Sequence, residues 1–171
     1  MEKFLDSFRL ILLLSLMSSS LFGQNKWAET HSIVNPVELN GINVFEVTTD
    51  SIVALFGEPS KVSSYWNEFY DEYFTVYEYQ KSFFDFSSNK QLHTFEINDK
   101  KLNKTDIKIN NHSVGDSING LTRDYYKSVM NMQDNEVSIH LLYNFEIVEM
   151  MIIFIMKDKT IKSIELIDLA T

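Results

Sequence analysis

The chain has 171 residues, a formal net charge of −9, a sequence pI near 4.8 and no cysteine. This acidic balance, with no basic run, argues against nucleic acid and anionic membranes as partners. The absence of cysteine excludes disulfides, thiol catalysis and thiolate zinc sites. Hydrophobic residues make up 44% of the chain and there are only two prolines, so we expect a folded protein rather than a disordered one.

Residues 1–23 have the layout of a secretory signal peptide. Lys3 and Arg9 precede an apolar run from Leu10 to Met17, and small residues follow up to Gly23. We place cleavage after Gly23, although a cut after Ser20 also satisfies the requirement for a small residue. The alternative is an uncleaved anchor, but fourteen residues from Leu10 would span only about 21 Å as a helix, against a hydrocarbon core of roughly 30 Å.

The mature protein is therefore predicted to be secreted or periplasmic and bacterial, with no membrane insertion after signal cleavage and no cysteine for a lipid anchor. It keeps roughly 148 residues, enough for one domain with its own core. Residues 24–35 are polar and unpatterned, and we interpret them as an extended leader.

The first predicted unit covers residues 36–98. Asn40-Gly41 lies between two apolar runs and predicts a tight hairpin, because both residues tolerate positive φ. A short helix follows, capped within Thr48-Thr49-Asp50 and ended by Gly57 and Pro59. Three runs rich in aromatic and branched residues then predict strands: Tyr73–Tyr79, Ser82–Phe86 and Leu92–Asn98.

The second unit, residues 105–171, follows a linker at 99–104 and repeats this order. Asn110-Asn111 takes the place of Asn40-Gly41, and a longer helical stripe contains Ile118, Leu121, Tyr125 and Val129. The predicted strands are Val137–Tyr143, Val148–Met156 and Ile161–Ile167. In this alignment Asp50-Ser51-Ile52 matches Asp116-Ser117-Ile118, and Ser82–Phe86 matches Met151–Ile155.

These elements predict an α+β fold of two tandem repeats. Each repeat has a short hairpin, a helix and a three-stranded antiparallel meander, and together they form one sheet with both helices packed on one face. Two separate small sheets remain the alternative. The run from Val148 to Met156, which contains Met150 and Met151, predicts a buried central strand.

The segment Thr49–Pro59, followed by tyrosine-rich strands and by Phe86, Leu92 and Phe95, resembles a small periplasmic fold. The outer-membrane-assembly lipoprotein family and the β-lactamase inhibitor protein family share that fold, and the latter is similar in using two such units in tandem. The resemblance covers roughly Pro36 to Ile167. It implies a binding module without catalysis, and no functional residue carries over by position.

The sequence offers no catalytic constellation and no cofactor motif: it lacks His-Glu-x-x-His, Gly-x-Ser-x-Gly, a Walker loop and a dinucleotide fingerprint. The four histidines, His31, His93, His112 and His140, are scattered, and a metal site would require the fold to bring His93 and His140 together. Glu68, Asp71 and Glu72 lack the ligand spacing of a calcium loop. We interpret Asp50 and Asp116 as helix caps, and we expect no enzyme, metal or cofactor.

Aromatic residues alternate with carboxylates from Tyr65 to Tyr79, and this segment is our candidate site. Aromatic rings bury a large area at low entropic cost, which suits a protein interface. If Phe74 and Val76 face the helices, the tyrosines occupy the open sheet face. The predicted partner-binding residues are Tyr65, Trp66, Tyr70, Tyr73, Tyr77 and Tyr79.

The leading hypothesis is a non-enzymatic protein-binding module. The alternative is a carrier of a small apolar ligand held between sheet and helices, with methionines lining the pocket.

Overall fold

The computed structural model describes residues 28–144 and 146–170, so the predicted signal peptide lies outside the described residues. Twelve strands occur there, and eight of them form one sheet in the order β1-β10-β11-β12-β7-β6-β5-β4. The strands of this sheet are β1 (Ser32–Val34), β4 (Lys61–Asn67), β5 (Glu72–Tyr79), β6 (Ser82–Phe86), β7 (Leu92–Ile97), β10 (Glu136–Tyr143), β11 (Glu146–Lys157) and β12 (Thr160–Asp168). The remaining strands form two small hairpins, β2 (Glu38–Leu39) with β3 (Ile42–Asn43) and β8 (Lys101–Leu102) with β9 (Thr105–Asp106).

The helices of this region are short: α1 (Thr49–Phe56), α2 (Ile118–Asp124) and α3 (Tyr126–Met130), with a 3-10 helix at Val44–Glu46. The fold is therefore α+β, as predicted. All neighbouring strands of the large sheet are antiparallel except β1, which runs parallel to β10. β1 lies in the segment assigned from the sequence to an extended leader, and it places the start of the described chain beside a strand from its last third.

The two asparagine turns contact each other through reciprocal hydrogen bonds. Asn40 Oδ1 accepts from the Lys108 amide at 2.7 Å, and Asn110 Oδ1 accepts from the Glu38 amide at 2.7 Å. The main chain repeats this exchange, since the Asn40 amide donates to the Lys108 carbonyl and the Asn110 amide donates to the Glu38 carbonyl, each at 3.0 Å. Asn40 and Asn110 have φ values of 47° and 46°, which an asparagine tolerates better than other residues with a side chain.

The cap of α1 lies within the predicted range Thr48-Thr49-Asp50, but neither Asp50 nor Asp116 is a cap residue. Thr48 caps α1 and forms a capping box with Ser51, while Ser117 caps α2 by accepting from the Asn119 amide. Asp50 lies inside α1, and Asp116 instead accepts from the Ser113 amide at 2.8 Å. Asp50 and Asp116 are therefore not the cap residues, because a hydroxyl side chain already fills each cap position.

The predicted long second helix is interrupted at Tyr125, which leaves the helical region with φ −131° and ψ 47°. The Tyr125 ring is buried and stacks on Phe154 at a centroid distance of 5.8 Å. Gly120 lies in the preceding turn, and a Cβ there would approach the His112 ring within 3.3 Å. Glycine and polar residues give this segment a low helix propensity, so the packing of Tyr125 is sufficient to interrupt the helix.

One buried cluster contains residues of the helices and of the large sheet, and we call the sheet face that its strand residues share the core face. Ile52, Phe56 and Leu121 come from the helices, while Phe84 and Phe154 come from strands β6 and β11. β11 lies inside the sheet between β10 and β12, as its apolar run predicted. Near the middle of the sheet, β7 and β12 pair Glu96 directly with Glu165 on the opposite face.

Candidate functional site

The hairpin of β4 and β5 carries a dense group of exposed apolar side chains. β4 was not among the predicted strands, the first of which began at Tyr73. Across the pair, Tyr65 is opposite Phe74 and Trp66 is opposite Tyr73. The exposed members are Val62 (56%), Tyr65 (41%), Trp66 (47%), Phe69 (62%), Tyr70 (37%) and Tyr73 (64%).

The turn of this hairpin is held by Asn67. Its Oδ1 accepts from the amides of Phe69 at 3.0 Å and Tyr70 at 3.2 Å, a local arrangement in which an asparagine side chain fixes the following backbone. Asp71 then takes a φ of 55°, which returns the chain into β5. The backbone of Phe69 and Tyr70 is thus held by hydrogen bonds to the Asn67 side chain.

Two aromatic groups lie on the two faces of the hairpin. On the side of the core face, Trp66 contacts Tyr73 edge-on with ring centroids 5.0 Å apart. On the opposite face, Phe74 is buried beneath the ring of Tyr70 and beside His93, at 5.6 and 4.9 Å. Edge-on and tilted contacts of this kind hold aromatic rings in defined orientations.

The hydroxyls of the opposite face are fixed by two carboxylates. Tyr65 Oη donates to Asp85 Oδ2 at 2.5 Å, and Tyr70 Oη donates to Asp168 Oδ2. Desolvation raises the pKa of Tyr65 to about 12, and the hydrogen bond to Asp85 adds to this effect. Desolvation and the hydrogen bond to Asp168 likewise raise the pKa of Tyr70 to about 12. Both phenols are therefore protonated donors at neutral pH, and they are poorly suited to act as bases.

Asp85 is 5% exposed, and its Oδ1 has no hydrogen-bond partner within the described residues. Burial raises the pKa of this carboxyl, and the hydrogen bond from Tyr65 opposes that rise. In the unfolded chain the pKa of this carboxyl is near 3.8, and in the folded protein it is higher. The protonated carboxyl therefore contributes its full share to stability below pH 3.8, and this contribution is lost as the pH rises through the pKa of the folded state.

We expect Asp85→Asn to raise the melting temperature at pH 7, because the amide has nearly the same shape and avoids burying a charge. The difference from the natural protein should shrink as the pH falls and vanish below about pH 3, where the carboxyl is protonated in both states. Thermal unfolding between pH 3 and pH 8 tests this. An advantage of equal size at all pH values would show that ionisation of Asp85 is not the cause.

Tyr65→Phe should lower the free energy of unfolding by about 1–3 kcal/mol at pH 7, because it removes a donor to a buried charged acceptor. Tyr73→Phe is the matched control: Tyr73 lies on the same hairpin, and its hydroxyl makes no hydrogen bond within the described chain. Urea unfolding of both variants measures the difference. Equal effects of the two variants would contradict the role assigned to the Tyr65 hydroxyl.

The structure reverses the predicted orientation of β5. Tyr77 and Tyr79 belong to the core face, and Phe74 and Val76 point the other way. Tyr79 is 1% exposed, and its hydroxyl donates to the Gly57 carbonyl at 2.7 Å, so the polar end of this tyrosine is satisfied at the end of α1. A buried Tyr79 has no surface to offer a partner, and Tyr77 is half-buried against the core.

The predicted polar candidates are distributed over separate places. His93 lies on β7 and His140 on β10, and these strands are separated by β12 and β11. His140 contacts His31 edge-on at 5.1 Å. Throughout residues 28–144 and 146–170, no group of three histidine or carboxylate side chains is arranged to hold a metal ion. Glu68 and Asp71 lie in the exposed turn of the hairpin.

Sequence reasoning missed Val62, Phe69, Asp85, His93 and Asp168 as parts of this surface. A detectable signal for β4 was the run Lys61–Asn67, which contains Val, Tyr and Trp and ends at a turn-forming asparagine. Asp85, His93 and Asp168 gave no signal, because they come from strands that meet only in the folded sheet.

The comparisons with known proteins give no relative for this chain. No protein-family profile, curated protein sequence or solved structure matches it. Among the helices that the structure describes, none is long and apolar enough to cross a membrane.

Proposed function

We propose that the mature chain is an exported, non-enzymatic module that binds another protein through the aromatic hairpin surface, which we define as Tyr65, Trp66, Phe69, Tyr70 and Tyr73. One observation carries the proposal. Within the described residues, six of the eleven exposed large hydrophobic side chains lie between Val62 and Tyr73. These side chains lie on both faces and at the turn of one hairpin. Exposed apolar side chains concentrated on one hairpin in this way are typical of interaction sites, whereas single ones are ordinary.

The chemistry of the surface favours a partner protein with basic residues. Its rings are held by hydrogen bonds and ring contacts, so little entropy remains to be lost on binding. Residues 58–85 carry six carboxylates and two lysines. An acidic surface attracts a basic partner and increases its association rate.

The methionines give the carrier alternative no support. Met156 belongs to the buried cluster of the core face and Met150 packs against it, while Met151 is absent from that cluster. The two methionines of the core face are thus part of its packing against other side chains. Protein binding therefore remains the function that the geometry favours.

We also propose that the fold is a tandem duplication with both helices on the core face. The reciprocal contacts of Asn40 and Asn110 support it, because each atom pair in one turn has a counterpart in the other. The first residues of the two helices make equivalent hydrogen bonds. The Thr49 amide donates to the Lys90 carbonyl, and the Ile118 amide donates to the Lys159 carbonyl.

When the two units are aligned by equivalent hydrogen bonds instead of by residue identity, the alignment differs from the one predicted from sequence. Thr48 then corresponds to Ser117, so the shared Asp-Ser-Ile letters do not occupy equivalent positions. Phe84 corresponds to Phe154, one residue away from the match predicted from sequence, and each unit has an irregularity in strand register just after this phenylalanine. Such a duplication is consistent with the resemblance of the sequence to small periplasmic modules that occur in tandem.

An affinity capture from bacterial envelope and secreted fractions tests the proposed function. The bait is the mature chain, and the variant combines Trp66→Ala with Tyr73→Ala. Because both side chains are about half exposed or more, we expect the variant to remain folded and to lose capture of a specific partner at least about tenfold.

The matched control combines Tyr126→Ala with Met130→Ala, whose side chains are 60% and 64% exposed but lie elsewhere. This control should capture the partner as the natural chain does. If the hairpin variant is folded and captures the same proteins equally well, the aromatic hairpin surface is not the binding site.

A further inference from the structure

Strand β4 is the last strand of the large sheet, and none of the residues 28–144 and 146–170 pairs with its outer edge. An unpaired edge presents a row of backbone N–H and C=O groups that can pair with another strand. Natural edge strands commonly block such pairing with a bulge, a proline or several charged residues. β4 has a regular register with β5 over all seven residues, and Lys61 at its first position is its only charge.

The sequence of β4 is complementary to itself in antiparallel pairing. If Ser64 faces Ser64 of a second copy, Val62 faces Trp66 and Lys61 faces Asn67 of that copy. Val62 and Trp66 are 56% and 47% exposed in the single chain and share the side of the core face. The pairing covers both side chains, places small residues at the centre and sets no like charges directly opposite each other.

The two ends of β4 differ in charge. Lys61 stands at the first end, where it forms an ion pair with Glu78 of β5 at 2.6 Å, while Glu68, Asp71 and Glu72 follow the second. Antiparallel pairing of two copies brings each Lys61 beside the acidic turn of the other copy, on the face that Asn67 and Glu72 share. This local complementarity opposes the general repulsion between two chains of net charge −9.

We propose that two copies of this protein join through their β4 edges, with Ser64 on the twofold axis, to form one continuous sixteen-stranded sheet. The inference concerns the backbone edge and goes beyond the proposed binding of another protein. It places two aromatic hairpin surfaces side by side. The contact is small, so we expect a weak dimer that dissociates on dilution.

Single cysteine variants test the axis directly, because the natural chain has no cysteine. Ser64→Cys should form a covalent dimer rapidly with a short thiol-specific cross-linker, since Ser64 faces itself. Ser63→Cys should react at least about tenfold more slowly, because in this register Ser63 faces Tyr65 rather than itself. Ser88→Cys, exposed on the turn between β6 and β7, measures the rate of random collision.

Charge substitutions on the axis provide an independent test. Ser64 is exposed, so Ser64→Lys and Ser64→Glu should each leave the monomer folded and weaken the dimer by at least about tenfold in sedimentation equilibrium, because like charges then face each other. Mixing the two variants should restore dimerisation through a mixed pair. The far-UV circular dichroism of each variant verifies its fold.

A natural chain that stays monomeric at about 1 mM would overturn the proposal. Equal cross-linking of Ser63→Cys, Ser64→Cys and Ser88→Cys would do the same. A monomer that loses a captured partner on Ser64→Lys would instead show that the edge receives a strand of another protein. Trp66 belongs to both contacts, but Ser64→Lys keeps Trp66 and Tyr73 in place, so loss of the dimer with capture retained would show that the two proposals can fail separately.

Discussion

Phe84→Ala and Phe154→Ala should each lower the free energy of unfolding by about 3–5 kcal/mol. Both rings are fully buried. Phe84 stacks on Phe56 with ring centroids 6.1 Å apart, and Phe154 stacks on Tyr125 at 5.8 Å. Because a domain of this size is typically stable by only 5–15 kcal/mol, each loss is a large part of the total.

Urea unfolding followed by circular dichroism and tryptophan fluorescence measures both variants. Pairing of β7 with β12 joins the two halves of the sheet, so we expect a single transition that each substitution shifts as a whole. Phe69→Ala is the control, since this ring is 62% exposed and its removal should change stability by no more than about 0.5 kcal/mol. Two transitions, each responding to only one of the substitutions, would show that the halves unfold independently.

Asn40→Ala should cost about 2–4 kcal/mol of stability. The asparagine side chain accepts from the Lys108 amide at 2.7 Å and donates to the Asp106 carbonyl at 2.8 Å, and alanine replaces neither bond. Alanine also tolerates the φ of 47° poorly, which adds about 1 kcal/mol. Thermal and urea unfolding provide the measurement.

Two further substitutions separate these causes. Asn40→Gly tolerates the backbone conformation but loses both hydrogen bonds, so it should cost less than alanine by roughly the conformational penalty of about 1 kcal/mol. Asn40→Asp keeps the acceptor for the Lys108 amide and brings a carboxylate against the Asp106 carbonyl. A negligible effect of all three substitutions would mean that the contact between the two turns contributes little to stability.

Local patterns predicted much of the fold. The Asn40-Gly41 turn, the end of α1 at Gly57 and the interior position of β11 follow from turn chemistry, glycine conformation and an apolar run, which act within a few residues. These features depend little on the rest of the chain, so the sequence was sufficient to identify them.

The orientation of β5 and the opposite-face cluster could not be predicted in the same way. Tyr79 faces the core because the carbonyl of Gly57 accepts its hydroxyl, and Phe74 can turn away because Tyr70 and His93 cover it. Both facts depend on contacts between residues far apart in sequence. Strand alternation gives two faces but does not say which of them a helix will cover.

The pairing of β1 with β10 has a consequence for the order in which the protein can fold. Ser32 lies opposite Ile139, so the first strand that the structure describes finds its neighbour only after most of the chain has been synthesised. Until then, the edge of β1 has no partner in the sheet. Completion of the sheet thus depends on its longest-range contact, and a chain halted before β10 would present an unfinished sheet to proteases.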